Sequence, residues 1–228
     1  MKKVEKMIPI FHLMWVKLLK NFFFRLINKK LIDVYKYNIE KYGYSAMGLH
    51  WSSKSSQYSR FYFINYLMKK YIKEEDANIA DLGCGFGDFY EYLKKNNENK
   101  YSYMGYDINP NMIEHCKKKF SSNLFQVADH PIKQCDFTII SGTYNYAIFN
   151  NTKLWENYLI FNLKKCFNKS SKGVIFNLQK SFKAKIVNNI YYADNDSMHK
   201  TLKKKFNNVY SHFDKNTPKD IYFIILRS

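Results

Sequence analysis

Three glycines at alternate positions, Gly83, Gly85 and Gly87, fall in the stretch NIADLGCGFGDF between Asn78 and Phe89. The chemistry open to such a turn is the reception of a ligand on bare peptide N–H groups. Glycine tolerates a positive φ and has no Cβ to hold a ligand away. A short apolar run, Ile79, Ala80 and Leu82, enters the turn, and a helix-like pattern, Phe89, Tyr90 and Leu93, leaves it. A buried strand, a glycine turn and a helix in succession is how an α/β protein aims amides at a ligand. Asp107 stands 20 residues past Gly87 and ends the run YSYMGYD, where a ribose-binding carboxylate is expected. It also fits as the N-cap of a helix starting near Pro110, and the two roles are compatible.

The spacing narrows the ligand. The dinucleotide fingerprint G-x-G-x-x-G needs glycine at position 88, which is Asp88. The pattern is instead D-x-G-x-G-x-G from Asp81 to Gly87. For proton transfer the candidates are His130, beside Asp129, then His50, Tyr144 and Asp194. Gln57 and Arg60, at i and i+3, share one side of a helix. Arg60 and Lys54 could hold an anionic acceptor, or Arg60 and Gln57 a cofactor carboxylate.

The elements that must position these residues alternate from Ala77 onward. Strands are expected over 77–82, 101–106, 124–128, 136–140 and 173–178, with helices over 88–95, 111–119, 154–167 and 196–206. That order argues for a parallel sheet covered on both faces. Two closing strands, 209–213 and 221–226, follow one another without a helix and are expected as an antiparallel hairpin. Upstream, Tyr42 to Arg60 starts as a loop, and a helix begins near Ser53–Ser56 with a serine as N-cap. The loop's polar, aromatic and glycine residues suggest a binding lip, or an ordinary capped helix with Trp51 in the core.

The D-x-G-x-G-x-G turn, with the acid ending the second strand, resembles the first motif of class I S-adenosylmethionine-dependent methyltransferases. The resemblance extends to a bacterial subgroup of that class in GLHWSSKSSQYSRF (48–61), SGTYN (141–145), GVIFNL (173–178) and IYYAD (190–194), and covers the chain from about residue 42. It implies a Rossmann-like three-layer α/β/α sandwich with a mostly parallel seven-stranded sheet whose last strand is antiparallel, plus N-terminal helices. Two parts are expected, a helical extension and lip over 1–50 and the catalytic domain over 51–228. By resemblance, Gly83, Gly85 and Gly87 would let the loop approach the methionine portion of S-adenosyl-L-methionine. Asp81 would sit near its ammonium, Asp107 would hold the ribose hydroxyls, Ile108 would lie on the adenine face and Asp129 would meet the adenine amino group. Ser141 to Asn145 would line the gap between methyl donor and acceptor, with Tyr144 and Asn145 orienting the acceptor. The segment departs from the N-P-P-Y pattern of exocyclic-base enzymes, and no Pro-Cys pair marks a cytosine-C5 nucleophile.

The subgroup suggests a small-molecule enzyme and fixes no substrate; a sugar or a phosphate-bearing, anionic metabolite is one expectation. A net charge of +18 raises a nucleic-acid methyltransferase as the alternative. The lysines are scattered, however, and the richness in Lys, Asn, Ile, Tyr and Phe has the look of an AT-rich genome. Four separated cysteines without a C-x-x-C pair argue against a zinc site or disulfide framework and fit the cytoplasm. Residues 1–42 read as one or two amphipathic helices that cap the core or a site, or pack on a second subunit. Lys17, Lys20 and Arg25 interrupt the apolar stretch 8–27 too often for a spanning helix. Peripheral membrane contact through residues 8–30, on a protein that need not be an enzyme, is the third reading.

Overall fold

The computed structural model describes residues 2–73, 76–98 and 100–227, with side chains for all of these apart from residues 2–17 and 20. One helix, α1 (Lys2–Tyr42), occupies the region expected to hold one or two. Phe24, Ile27 and Leu31 on it are buried and join the main core cluster, with Tyr35 packed against that cluster. The spacing 24, 27, 31, 35 is the i+3/i+4 stripe of a helix face. Leu18, Leu19, Phe22 and Leu26 are exposed. Residues 8–17, where the expected membrane-facing stretch begins, have side chains outside the described set. Among the described residues no helix is long and apolar enough to cross a membrane.

A 3-10 turn (Met47–Leu49) leads to α2 (Lys54–Tyr71), whose N-cap is Ser53. The sheet then begins with β1 (Asn78–Leu82), followed by α3 (Asp88–Lys95), β2 (Ser102–Asp107), α4 (Pro110–Lys119), β3 (Phe125–Val127), β4 (Cys135–Ile140), α5 (Thr152–Lys169) and β5 (Ser170–Ser181). A hairpin, β6 (Lys185–Val187) and β7 (Ile190–Asp194), precedes α6 (Asn195–Phe206), β8 (Asn208–His212) and β9 (Asp220–Leu226).

Strands run in the order β3-β2-β1-β4-β5, all parallel. β9 lies antiparallel against β5 from Gly173↔Leu226 to Gln179↔Asp220, and β8 closes that edge. This is the expected three-layer α/β architecture with its antiparallel last strand. The difference is the β6–β7 hairpin, which adds two strands at the far end of the long β5, where Gln179 pairs with Tyr192. Asn188 and Asn189 form its turn, both at positive φ, and asparagine tolerates that region better than most side chains. Chain order reverses between β1 and β4, so the crevice beyond their carboxyl ends is where an open α/β sheet receives ligands.

Candidate functional site

One cleft of about 1210 Å³, counting its open mouth, lies at that crevice. Its floor is the turn after β1. Gly83 and Gly85 have φ of +75° and +55°, and a Cβ on Gly83 would sit 2.3 Å from Thr143 Oγ1. Both line the cleft. Gly87 does not: a Cβ there would meet Phe120 at 2.7 Å, so this glycine lets α3 start close to the helix layer.

Asp107 ends β2 and is buried at the same place. Its Oδ2 accepts from Gly85 N at 3.0 Å and its Oδ1 from Asn109 N at 2.8 Å. The carboxylate therefore fixes the glycine turn itself. The cap of α4 is Asn109, whose Oδ1 accepts from Asn111 N, so Asp107 is relieved of the capping role. Burial pushes the Asp107 carboxyl up to about 6 against the pull of the N–H groups of Asn109, Gly85 and Ile108.

Asp81 lies at the end of β1 and accepts from Tyr103 Oη at 2.6 Å. Burial pushes it up to about 7, helped by the negative charges of Asp107 and Asp88 and opposed by the Tyr103 bond. Such a group holds its proton more tightly folded than unfolded, where a carboxyl titrates near ~3.9. Its stabilising contribution is complete below that value and is lost as pH rises through about 7. Asp81→Asn, which still accepts from Tyr103, is therefore expected to gain about 1–3 kcal/mol at pH 8 and little at pH 4. Thermal melts at the two pH values check this; an unchanged or lower Tm at pH 8 contradicts it.

Asp129 lines the wall beyond β3. It accepts from Lys165 Nζ at 2.5 Å and from Asn28 Nδ2 at 3.4 Å, and lies 2.5 Å from His130 Nδ1. Burial raises its carboxyl, but Lys165 and His130 outweigh burial and hold it below the ordinary range. His130, expected as a proton acceptor, is spent on Asp129 and is not among the lining residues. Asp194 caps α6 through Ser197 N and is likewise away from the cleft.

Arg60 is the larger correction. Its Nε lies 2.9 Å from Asp220 Oδ2, Nη1 donates to Ser56 Oγ, and the guanidinium sits 4.7 Å from the Trp51 ring centroid. It braces Trp51 from behind and does not line the cleft. Gln57, its neighbour on α2, does, and donates to Asp88 Oδ2 at 3.0 Å. Burial holds the Asp220 carboxyl above its ordinary range in spite of Arg60, so it takes up a proton once Arg60 is gone. Arg60→Ala is thus expected to lose about 2–3 kcal/mol, below the usual loss for a broken buried pair. Urea unfolding measures it, and a change within ~0.5 kcal/mol contradicts the bracing role.

The opposite wall is aromatic. Tyr35 from α1, His50 and Trp51 face Tyr144, Asn145 and Tyr146 from the segment after β4. Tyr35 and Tyr146 carried no mark in the sequence beyond Tyr35's place on the α1 stripe. Tyr144 is buried, and desolvation holds its hydroxyl well above the ordinary tyrosine range. Asn145 Oδ1 accepts from Gln179 N, and its backbone O accepts from Tyr191 N, tying the segment to β5 and the hairpin. Ile108 and Ser141 line the cleft, and buried Ser141 Oγ, Gln57 Oε1 and Asn109 Nδ2 have no hydrogen-bond partner among the described residues. Among the described residues, the carboxyl groups lining the cleft are those of Asp81, Asp88, Asp107 and Asp129, and no Lys or Arg lines it. The +18 charge lies elsewhere, and the expectation of a cation-bound acceptor has no group here to carry it.

Residues 73–224 match the family model of a methyltransferase domain. The chain is 26% identical over 134 residues to Rv1506c of Mycobacterium tuberculosis, a provisionally named methyltransferase, covering 57% of this chain and 80% of that one. Among solved structures, magnesium protoporphyrin IX methyltransferase from Synechocystis PCC 6803 with bound SAH superposes with a TM-score of 0.53 at 12% identity, over 75% of this chain and 83% of the other. The plantazolicin methyltransferase BpumL, in complex with a pentazolic desmethyl analogue and SAH, gives 0.57 at 13% identity, over 90% and 98%.

Proposed function

The chain belongs to the methyltransferase-domain family and is an S-adenosylmethionine-dependent methyltransferase of class I, and we propose that its acceptor is a small molecule held in the aromatic half of the cleft. The observation that carries the reading is the Gly85 N to Asp107 Oδ2 bond, which ties the glycine turn to a buried carboxylate at the sheet's reversal point.

The residues fit the cofactor. The turn has no Cβ at Gly83 or Gly85, and unpartnered polar atoms of Gln57, Ser141 and Asn109 surround it. Four carboxylates suit a ligand with an ammonium, a sulfonium and a ribose diol. In this reading the amino-acid end lies against the bare backbone of Gly83 and Gly85, with Asp81 near its ammonium; the N–H groups of Gly83 and Cys84 already donate to Tyr106 O and that of Gly85 to Asp107. Each Asp107 oxygen, already accepting one N–H, keeps lone-pair capacity for a ribose hydroxyl. Ile108 and Met112 offer the adenine an apolar face, and Asp129 shares its charge between Lys165 and the adenine amino group. When bound, the cofactor supplies a methyl group already activated on sulfur. The protein has to align the acceptor and exclude water, so positioning by the aromatic wall supplies most of the rate.

The acid-lined cleft also favours a small acceptor over a polyanion such as RNA, which would meet like charge there. Four free, buried thiols suit a reducing compartment, and we place the enzyme in the cytoplasm. Incubation with deuteromethyl-labelled S-adenosylmethionine and either a low-molecular-weight cell extract or total RNA tests the acceptor class. Label is expected in the small-molecule fraction; label confined to RNA overturns the proposal.

A further inference from the structure

Resting on the cleft being the methyl-transfer site, we propose that its aromatic end is an acceptor subsite for an uncharged, flat-bodied compound whose O–H or N–H group donates to the imidazole of His50. The ring of His50 stacks on Tyr146 at 4.2 Å and 22°, and Tyr35 meets it edge-on at 5.1 Å. Two planar side chains and Trp51 thus surround one polar group. Flat faces of this kind prefer a flat partner.

The histidine is held in place at a cost. Its backbone has φ 59°, a conformation a histidine adopts uncommonly and that clusters at functional sites. Its N–H donates to Met47 O, and Asn38 Nδ2 from α1 donates to Met47 O and Gly48 O, so helix and lip fix the turn together. Nε2 is buried and has no hydrogen-bond partner among the described residues, which is rare for a native polar atom. Burial holds the imidazole pKa below its ordinary value, so at neutral pH it is uncharged and one nitrogen accepts. The titratable groups packed against it are the phenols of Tyr35, edge-on from α1, and Tyr146, stacked from the segment after β4. Burial raises the Tyr35 hydroxyl far above the pH of the cell, so it stays neutral.

The class of acceptor follows from what the cleft lacks and what it holds. A phosphate or carboxylate would find no Lys or Arg among the described lining residues and would face four acids. A neutral hydroxyl or amine is satisfied by one acceptor nitrogen. As the bond from acceptor oxygen or nitrogen to the methyl carbon forms, the carbon–sulfur bond breaks. The acceptor's proton passes to His50, leaving methylated acceptor, neutral thioether and imidazolium, with one positive charge before and after. General-base assistance of this kind contributes about 10²–10⁴ in rate.

Calorimetry on the full chain saturated with S-adenosylhomocysteine tests the subsite, with 2-naphthol, naphthalene and 2-naphthyl phosphate as probes. 2-Naphthol is expected to bind about tenfold tighter than either of the others, the worth of one hydrogen bond in a dry site. His50→Phe keeps a ring on Tyr146 but has no nitrogen. It should erase the preference for 2-naphthol over naphthalene while leaving S-adenosylhomocysteine affinity within about twofold. Preference for the phosphate, no preference for 2-naphthol in the wild type, or a preference that survives His50→Phe overturns the subsite. A wild type that binds no S-adenosylhomocysteine strikes down the methyl-transfer reading first and the subsite with it, which tells the two failures apart.

Discussion

Gly85→Arg is expected to weaken S-adenosylmethionine binding at least about 100-fold and to abolish methyl transfer, while the chain stays folded. Gly85 has φ +55°, where a side chain costs about 1–2 kcal/mol of backbone strain. Its missing Cβ points at Leu49 Cδ1, 2.9 Å away, and Leu49 is a flexible wall of the cleft. An alanine is therefore absorbed by a shift of Leu49 and serves as the control for strain. An arginine places a long side chain across the turn that receives the ligand and adds a cation where an ammonium is expected. Circular dichroism should show both variants folded, with calorimetry separating them. Similar affinities for Gly85→Arg and Gly85→Ala contradict the assignment of this turn as the cofactor floor.

Asp107→Ala should cost at least about 100-fold in cofactor affinity, because two charge-assisted hydrogen bonds are removed at about 1.5–3 kcal/mol each when fully desolvated. Two separate losses combine. The ribose loses its acceptor, and the Gly85 and Asn109 N–H groups lose theirs, so the turn relaxes. Asp107→Asn keeps one carbonyl oxygen and should lie between. The ionised carboxylate is the binding form, and burial sets its pKa at about 6. Affinity in the wild type should thus fall as pH drops, first through about 7 where Asp81 takes up its proton and again through about 6 where Asp107 does, and Asp107→Asn should lose the lower step and keep the upper one. A wild-type affinity constant from pH 5 to 8, or an Asp107→Ala variant that binds normally, contradicts the role.

What could be read in the sequence was what is local. Asp81 to Gly87 and the acid at 107 form one strand–turn–helix–strand unit, and period and glycine spacing report such units directly. The serine cap of α2 and the antiparallel closing strands were legible for the same reason. Partners distant in the chain were not. Arg60 looks available beside Gln57 until Asp220 is folded against it, 160 positions later. His130 looks like a base until Lys165 and Asp129 draw it into a charge cluster. The anionic acceptor rested on Arg60 and Lys54, and neither is among the residues that line the cleft. The β6–β7 hairpin did carry a signal, Asn188-Asn189 between two strand-forming triplets, and its turn residues both adopt positive φ. Tyr35 and Tyr146 carried none, because an aromatic residue becomes a site wall only when helix α1 and the segment after β4 are brought together.

A crystal structure of the full chain with S-adenosylhomocysteine tests the central claim most directly. The expected result is a ribose whose hydroxyls bond Asp107 and an amino-acid end against the Cβ-free backbone of Gly83 and Gly85, with the sulfur facing His50 and Tyr146. A ligand bound elsewhere, or one that leaves the Asp107 carboxylate untouched, contradicts it.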